Sequence, residues 1–213
     1  MTLVSGAYTF KWWQVFVTYE ICYVIILYYS NTLIFNRIYY YPAFDTTFVV
    51  DQIHNYRQQH TWLFYTIFSE ILSLKFVSVS ALIYTGAFLY DQTITYQDCL
   101  KIVLLAEVSS ILATIIIVIY FFFHPPVAYD AFRLYSPFSI IQLIDAKHLP
   151  VYLIYPIKLL NVFELGYWSI LVAGVAHFTK ESVSKSLKIV ATGYGVGLIL
   201  WALFVAIMQV QFS

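Results

Sequence analysis

Six ionisable side chains lie within or beside stretches that are otherwise apolar: Glu20, Glu70, Lys75, Glu107, Lys158 and Glu164. A charge among apolar side chains is costly and needs a partner, so each of them is a candidate for function. Two chemistries fit. Lys75 and Glu164 fall at similar depth in different apolar runs, each about 9 Å from the end of its run at 1.5 Å per helical residue. That predicts an ion pair joining two helices and fixing their register. Glu20 and Glu107 lie roughly 12 Å and 8 Å in from the opposite side. Two carboxylates brought together there would share a proton and could relay it, with Ser109 and Ser110 as neighbouring hydroxyls. Local pairing does not absorb these charges. Glu70 and Lys75 are five residues apart, and Lys158 and Glu164 six, which is poor spacing for one helix face. The competing reading of Lys75 and Lys158 is that their ammonium groups snorkel to the interface.

Imidazoles and carboxylates also gather outside the apolar runs, at His54, His60, His124 and His148 and at Asp45, Asp51, Asp130 and Asp145. Such ligands suit zinc and related ions. Only Asp51 and His54 stand at helical spacing, so neither a metal site nor any cofactor is assigned. His177 and Glu181, one turn apart, read as helix-end interactions. Neither G-x-S-x-G nor H-E-x-x-H occurs, so no catalytic residue is named and the chain is expected not to be an enzyme. A metal-dependent intramembrane enzyme would require His124 and His148 to converge with an outer aspartate. The run Gly193-Tyr-Gly-Val-Gly197 has small residues four apart. Gly166, Ala173 and Gly174 offer a second narrow face. Together they predict a tight hairpin of the last two helices, or docking against another subunit. With no preceding strand, these glycines are not a nucleotide loop.

The elements that must position these groups are five apolar runs, at about 12–35, 68–90, 102–123, 158–178 and 187–209. Each holds about 20 residues, enough for a helix to cross a hydrocarbon layer of about 30 Å. The 213-residue chain is 62% hydrophobic and 10% charged, where a soluble domain carries about 25% charged residues. The expectation is an all-α integral membrane protein, a single transmembrane domain of five spans. The zero net charge argues against a nucleic-acid partner and against a polybasic lipid-binding face. Cys22 and Cys99, in or beside spans, do not suggest a disulfide.

Topology follows from the bases. Lys11, Lys101, Lys180, Lys185 and Lys188 flank short segments on one face; Arg37, Arg57, Arg133 and Lys147 are spread over long segments on the other. The positive-inside rule then places the N-terminus in the cytoplasm and the C-terminus outside. Trp12, Trp13, Tyr39, Tyr40 and Tyr41 mark interfaces. Residues 48–60 and 137–148 read as interfacial helices on the outer face. Residues 150–157 read as an interfacial lead-in before the fourth span, with Pro156 kinking the chain. The first apolar stretch is too long for a cleavable leader. No N-x-S/T sequon and no retrieval or lipidation motif is present, which favours a bacterial cytoplasmic membrane.

The segment beginning at Leu160, Asn-Val-Phe-Glu-Leu-Gly-Tyr-Trp-Ser-Ile-Leu-Val-Ala-Gly-Val-Ala, is followed by a basic turn and by Tyr194-Gly-Val-Gly. This resembles the closing two helices of the Yip1 domain family. The polar turn at 91–98 with Thr95, Tyr96, Asp98 and Lys101 is also similar, and the likeness covers roughly residues 65–210. The resemblance implies a five-span fold with a cytoplasmic N-terminus. Eukaryotic members carry a longer N-terminal region implicated in binding small GTPases. About eleven residues precede the first span here, so that role is not carried over, and the chain looks like the short bacterial type.

The functional expectation is a non-enzymatic scaffold or accessory subunit. Its partners would be the lipid bilayer and other integral membrane subunits, or further copies of itself. The alternative is a small transporter or channel-like subunit that uses Glu20 and Glu107 to move protons, ions or lipid.

Overall fold

The computed structural model describes residues 11–32, 61–124, 134–144 and 149–211. Among them the protein is helical throughout, with no strand beyond one isolated bridge between Ser139 and Asn161. The helices are α1 (Trp12–Ser30), α2 (Thr61–Leu89), α3 (Tyr96–Phe123), α4 (Val151–Lys158), α5 (Val162–Thr179), α6 (Val183–Val190) and α7 (Val196–Gln211). A 3₁₀ turn covers Ile140–Leu143, and a π segment, Ala191–Gly195, joins α6 to α7. Many of these residues are β-branched or aromatic and are poor helix formers in water. In an apolar medium an exposed peptide group costs several kcal/mol, so the helix, which satisfies its own backbone, wins over propensity.

Four helical stretches are long and apolar enough to cross a membrane: Trp62–Leu89, Tyr96–Phe123, Val162–Thr179 and Val183–Gln211. The first helix, α1, is not among them. Gln14, Glu20 and the tyrosines at 19, 23, 28 and 29 dilute its apolar character. It nevertheless packs into the bundle antiparallel to α2, since Phe16 meets Phe76 while Tyr23 meets Phe68.

Helix ends differ from the hydropathy boundaries, and local chemistry explains why. α3 starts at Tyr96 rather than 102 because Thr95 caps it, accepting from the Asp98 amide at 3.2 Å. α6 starts at Val183 because the Ser182 hydroxyl accepts from the Lys185 amide at 3.3 Å. The fourth apolar run, expected to be continuous from 158, is broken. α4 ends at Lys158, and α5 begins only after Asn161, whose side chain caps it by accepting from the Glu164 amide at 2.8 Å. Pro156 lies inside α4, two residues before its end. The backbone opened at 159–161 is satisfied from the 3₁₀ segment. The Ile140 amide donates to the Leu160 carbonyl at 3.0 Å, the Val162 amide donates to Phe138 at 3.2 Å, and the Ser139 hydroxyl reaches the Leu160 carbonyl at 3.2 Å. The helix anticipated over 137–148 is therefore a short 3₁₀ turn as far as residue 144; residues 145–148 and the helix anticipated over 48–60 lie outside the described residues.

The core sits where α2, α3, α5 and α6 meet, around Phe76, Ile83, Cys99, Ile102, Val103, Leu171, Val175 and Ile189, none more than 1% exposed. α7 has no buried residue at all. It is held at one side, where the Trp201 indole N–H donates to the Tyr155 hydroxyl of α4 at 2.8 Å.

Candidate functional site

The charged residues that stood out in the sequence are placed near the middle of the bundle by α2, α3 and α5. Lys75 is 14 residues from Leu89, the end of α2, and Glu107 is 11 residues from Tyr96, the start of α3. A turn at 90–95 joins these two ends, so the side chains start about 21 Å and about 16 Å above a common level. A lysine spans that difference. Its Nζ lies 2.8 Å from both carboxylate oxygens of Glu107. Glu107 is completely buried, while the Lys75 side chain keeps 39% of its surface exposed. From α1, the Tyr23 hydroxyl donates to Glu107 Oε1 at 2.6 Å. Three helices are thus tied at one carboxylate.

This corrects the pairing expected between Lys75 and Glu164. Glu164 belongs to a second centre, where its Oε1 accepts from the Trp168 indole one turn along α5 at 3.0 Å and from the Tyr194 hydroxyl at 2.7 Å. Tyr167 links the two centres. Its ring lies 5.6 Å under the Lys75 ammonium and 5.4 Å from the Tyr194 ring, and its hydroxyl is buried without a partner among the described residues. The cation over the ring and the paired charges suit a site shielded from water, where such contacts are strongest.

The expected Glu20–Glu107 relay is not brought together as a bonded pair. Glu20 accepts from the Ser69 and Ser73 hydroxyls of α2, the latter at 3.3 Å. Both oxygens of Glu107 are occupied by Lys75 and Tyr23. Ser109, expected near the relay, donates instead to the Phe163 carbonyl at 2.6 Å. Removing one donor from a buried carboxylate is informative. Tyr23→Phe is expected to cost about 2 kcal/mol, read as a lowered midpoint of chemical unfolding in mixed micelles. A change under about 0.5 kcal/mol would mean the Tyr23 bond contributes little beside the lysine.

The glycines also serve different neighbours from those expected. A Cβ on Gly193 would strike the Leu82 carbonyl oxygen, and one on Gly86 would lie 2.5 Å from the Ile189 carbonyl oxygen, so the closest backbone approach is between α2 and the last span. A Cβ on Gly166 would lie 2.8 Å from the Ser109 hydroxyl of α3, and one on Gly197 would meet the Leu82 side chain. Gly174 is buried in α5. The anticipated hairpin of the last two spans is therefore not where the glycines make their closest approaches. The one such contact across it is Gly195 against the Trp168 ring, 2.7 Å from a would-be Cβ. The π segment is part of this arrangement. A widened turn, often found at functional sites, contains both Gly193 against α2 and Tyr194 against Glu164.

Reasoning from sequence missed Tyr23, Tyr167, Tyr194 and Gly86. The Glu164–Trp168 spacing of four was a usable signal. Tyr194 stood inside a run read for its glycines alone. Of the four histidines expected on the outer face, His124 is described: its ring stacks on Tyr120 at 4.8 Å. Positions 45, 51, 54, 60, 130, 145 and 148 lie outside the described residues.

Four long apolar helices around a centre of internally bonded charges have the build of a multi-pass α-helical membrane protein. Compared with family models, curated proteins and solved structures, the chain matches none.

Proposed function

We propose that this chain is a non-enzymatic scaffold or accessory subunit of a larger membrane complex. In this reading it is a five-span protein of the Yip1-like, short bacterial type, in a bacterial cytoplasmic membrane, with its N-terminus cytoplasmic and its C-terminus outside. The observation that carries the reading is how the charges within the helices are used. Glu20, Lys75, Glu107 and Glu164 are each bonded to side chains of neighbouring helices or turns of the same chain, which locks the bundle. The transport alternative needs carboxylates lining a wet path, and Glu107 has no exposed surface. What remains outward is apolar. α7 buries none of its residues and presents Ile199, Leu200, Leu203 and Phe204 on its surface, a face that lipid or a partner helix must cover.

The test is affinity purification of the full chain at native level in mild detergent, followed by native mass measurement. A stoichiometric complex with other integral membrane proteins is the expected result. A clean monomer would sink the proposal, and a homo-oligomer would replace the accessory role with self-association.

A further inference from the structure

The Tyr167 hydroxyl is the polar group that the two charge centres leave unexplained. The residue is 2% exposed, and its hydroxyl is buried with no hydrogen-bond partner among the described residues. A hydroxyl kept dry in that way destabilises the fold, and native proteins rarely carry one.

Two of its neighbours also have bonding capacity to spare. The Lys75 ammonium carries three hydrogens. The Glu107 oxygens, both at 2.8 Å, take two of them, and the third has no acceptor among the described residues. Glu164 receives Trp168 and Tyr194 on Oε1, while Oε2 accepts no bond among the described residues. Tyr167 touches both sides. Its ring centre is 5.6 Å from the Lys75 nitrogen and 5.4 Å from the centre of the Tyr194 ring, whose hydroxyl holds Glu164. Glu164 precedes it by three residues, so the two share a face of α5. Both carboxylates, Glu107 and Glu164, act electrostatically on the Tyr167 hydroxyl. The ammonium stands off the ring carbons, for which contact means about 4 Å or less.

Charge and valence select what these three groups can hold together. A metal ion needs about four or more ligands; here it would find two oxygens and a repelling ammonium. An anion would face Glu107 and Glu164. A small neutral molecule that both donates and accepts meets neither obstacle, and about three polar partners is the usual complement of a buried water. We propose that Lys75, Tyr167 and Glu164 bind one internal water. It accepts from the third Lys75 N–H and from the Tyr167 hydroxyl, and donates to Glu164 Oε2. The two centres then form one hydrogen-bonded network, running from Tyr23 of α1 to Tyr194 in the π segment.

The experiment has two parts. The first is radiolytic footprinting of the full chain in nanodiscs, in which water is split where it lies and its oxygen adds to the nearest ring. Tyr167 should be oxidised in spite of its burial, while Phe76, which is 1% exposed and outside the network, should stay unlabelled. The second is Tyr167→Phe, which removes the hydroxyl alone. If the water is bound, the variant loses one bond to it, and the folded-to-unfolded ratio in mixed micelles should fall about fivefold at fixed denaturant. A dry hydroxyl predicts the opposite sign, since phenylalanine would then remove an unpaired polar group and the ratio would rise. The proposal is overturned by an unlabelled Tyr167, or by a Tyr167→Phe ratio that rises or does not move. It is overturned as well if the unaltered chain loses stability when sodium is exchanged for choline at constant ionic strength, which would put a cation in the site. Should Tyr167→Phe fail to fold, footprinting and the sodium exchange on the unaltered chain decide the matter.

Discussion

Lys75→Ala is expected to destabilise the protein by about 3 kcal/mol, because it leaves the fully buried Glu107 carboxylate without its counter-charge. The figure is taken from the low end of the range for broken buried pairs, since Lys75 is itself 39% exposed. Unfolding in mixed micelles reads the loss, and a partner test separates the pairing from general disruption. Lys75→Glu combined with Glu107→Lys should recover more than half of what Lys75→Glu loses. Lys75→Glu combined with Glu164→Lys should recover nothing, because Glu164 is bonded to Trp168 and Tyr194 instead. Replacing both members of the pair, Lys75→Met with Glu107→Leu, should be tolerated to within about 1 kcal/mol apart from the orphaned Tyr23 hydroxyl, since an apolar pair removes the cost of desolvating charge. Rescue by the Glu164 swap rather than the Glu107 swap would reverse this assignment.

Gly193→Ala should be nearly as damaging, at about 3 kcal/mol, for a steric reason. The added methyl meets the Leu82 backbone carbonyl, with the Gly86 Cα only 3.3 Å away. Backbone cannot rotate aside as a side chain can, so α2 and the last span must separate. Gly197→Ala is the control. The nearest atoms to its methyl all belong to the Leu82 side chain rather than to backbone; that side chain can change rotamer, and the cost should stay under about 1 kcal/mol. Equal effects at 193 and 197 in the same unfolding measurement would show that close backbone packing is not what Gly193 provides.

Some of this could be read from residue order alone, because it depends on quantities that run along one dimension. Apolar length determined that the protein is helical and suited to a bilayer. Residue counting anticipated a shared level for Lys75 and Glu164, 14 and 15 residues from Leu89 and Thr179, but not the depth of about 9 Å from the outer ends, since α2 starts 14 residues before Lys75 and α5 two before Glu164. Small residues marked where helices approach closely. Hydropathy placed helix starts too late at 68, 102 and 187, because capping by Thr95 and Ser182 and the polar and aromatic first turns are invisible to an apolar average.

What only the tertiary structure decided is direction around each helix axis, and which helix stands beside which. Two groups at one depth can face opposite ways, and nothing in residue order says which. Lys75 turns to α3 and meets Glu107, while Glu164 turns to Tyr194 across the π segment. Gly193 turns to α2 rather than to α5. The break at 159–161 was equally out of reach, since it persists only because residues 138–140, some twenty positions earlier, supply the hydrogen bonds that a continuous helix would have made for itself.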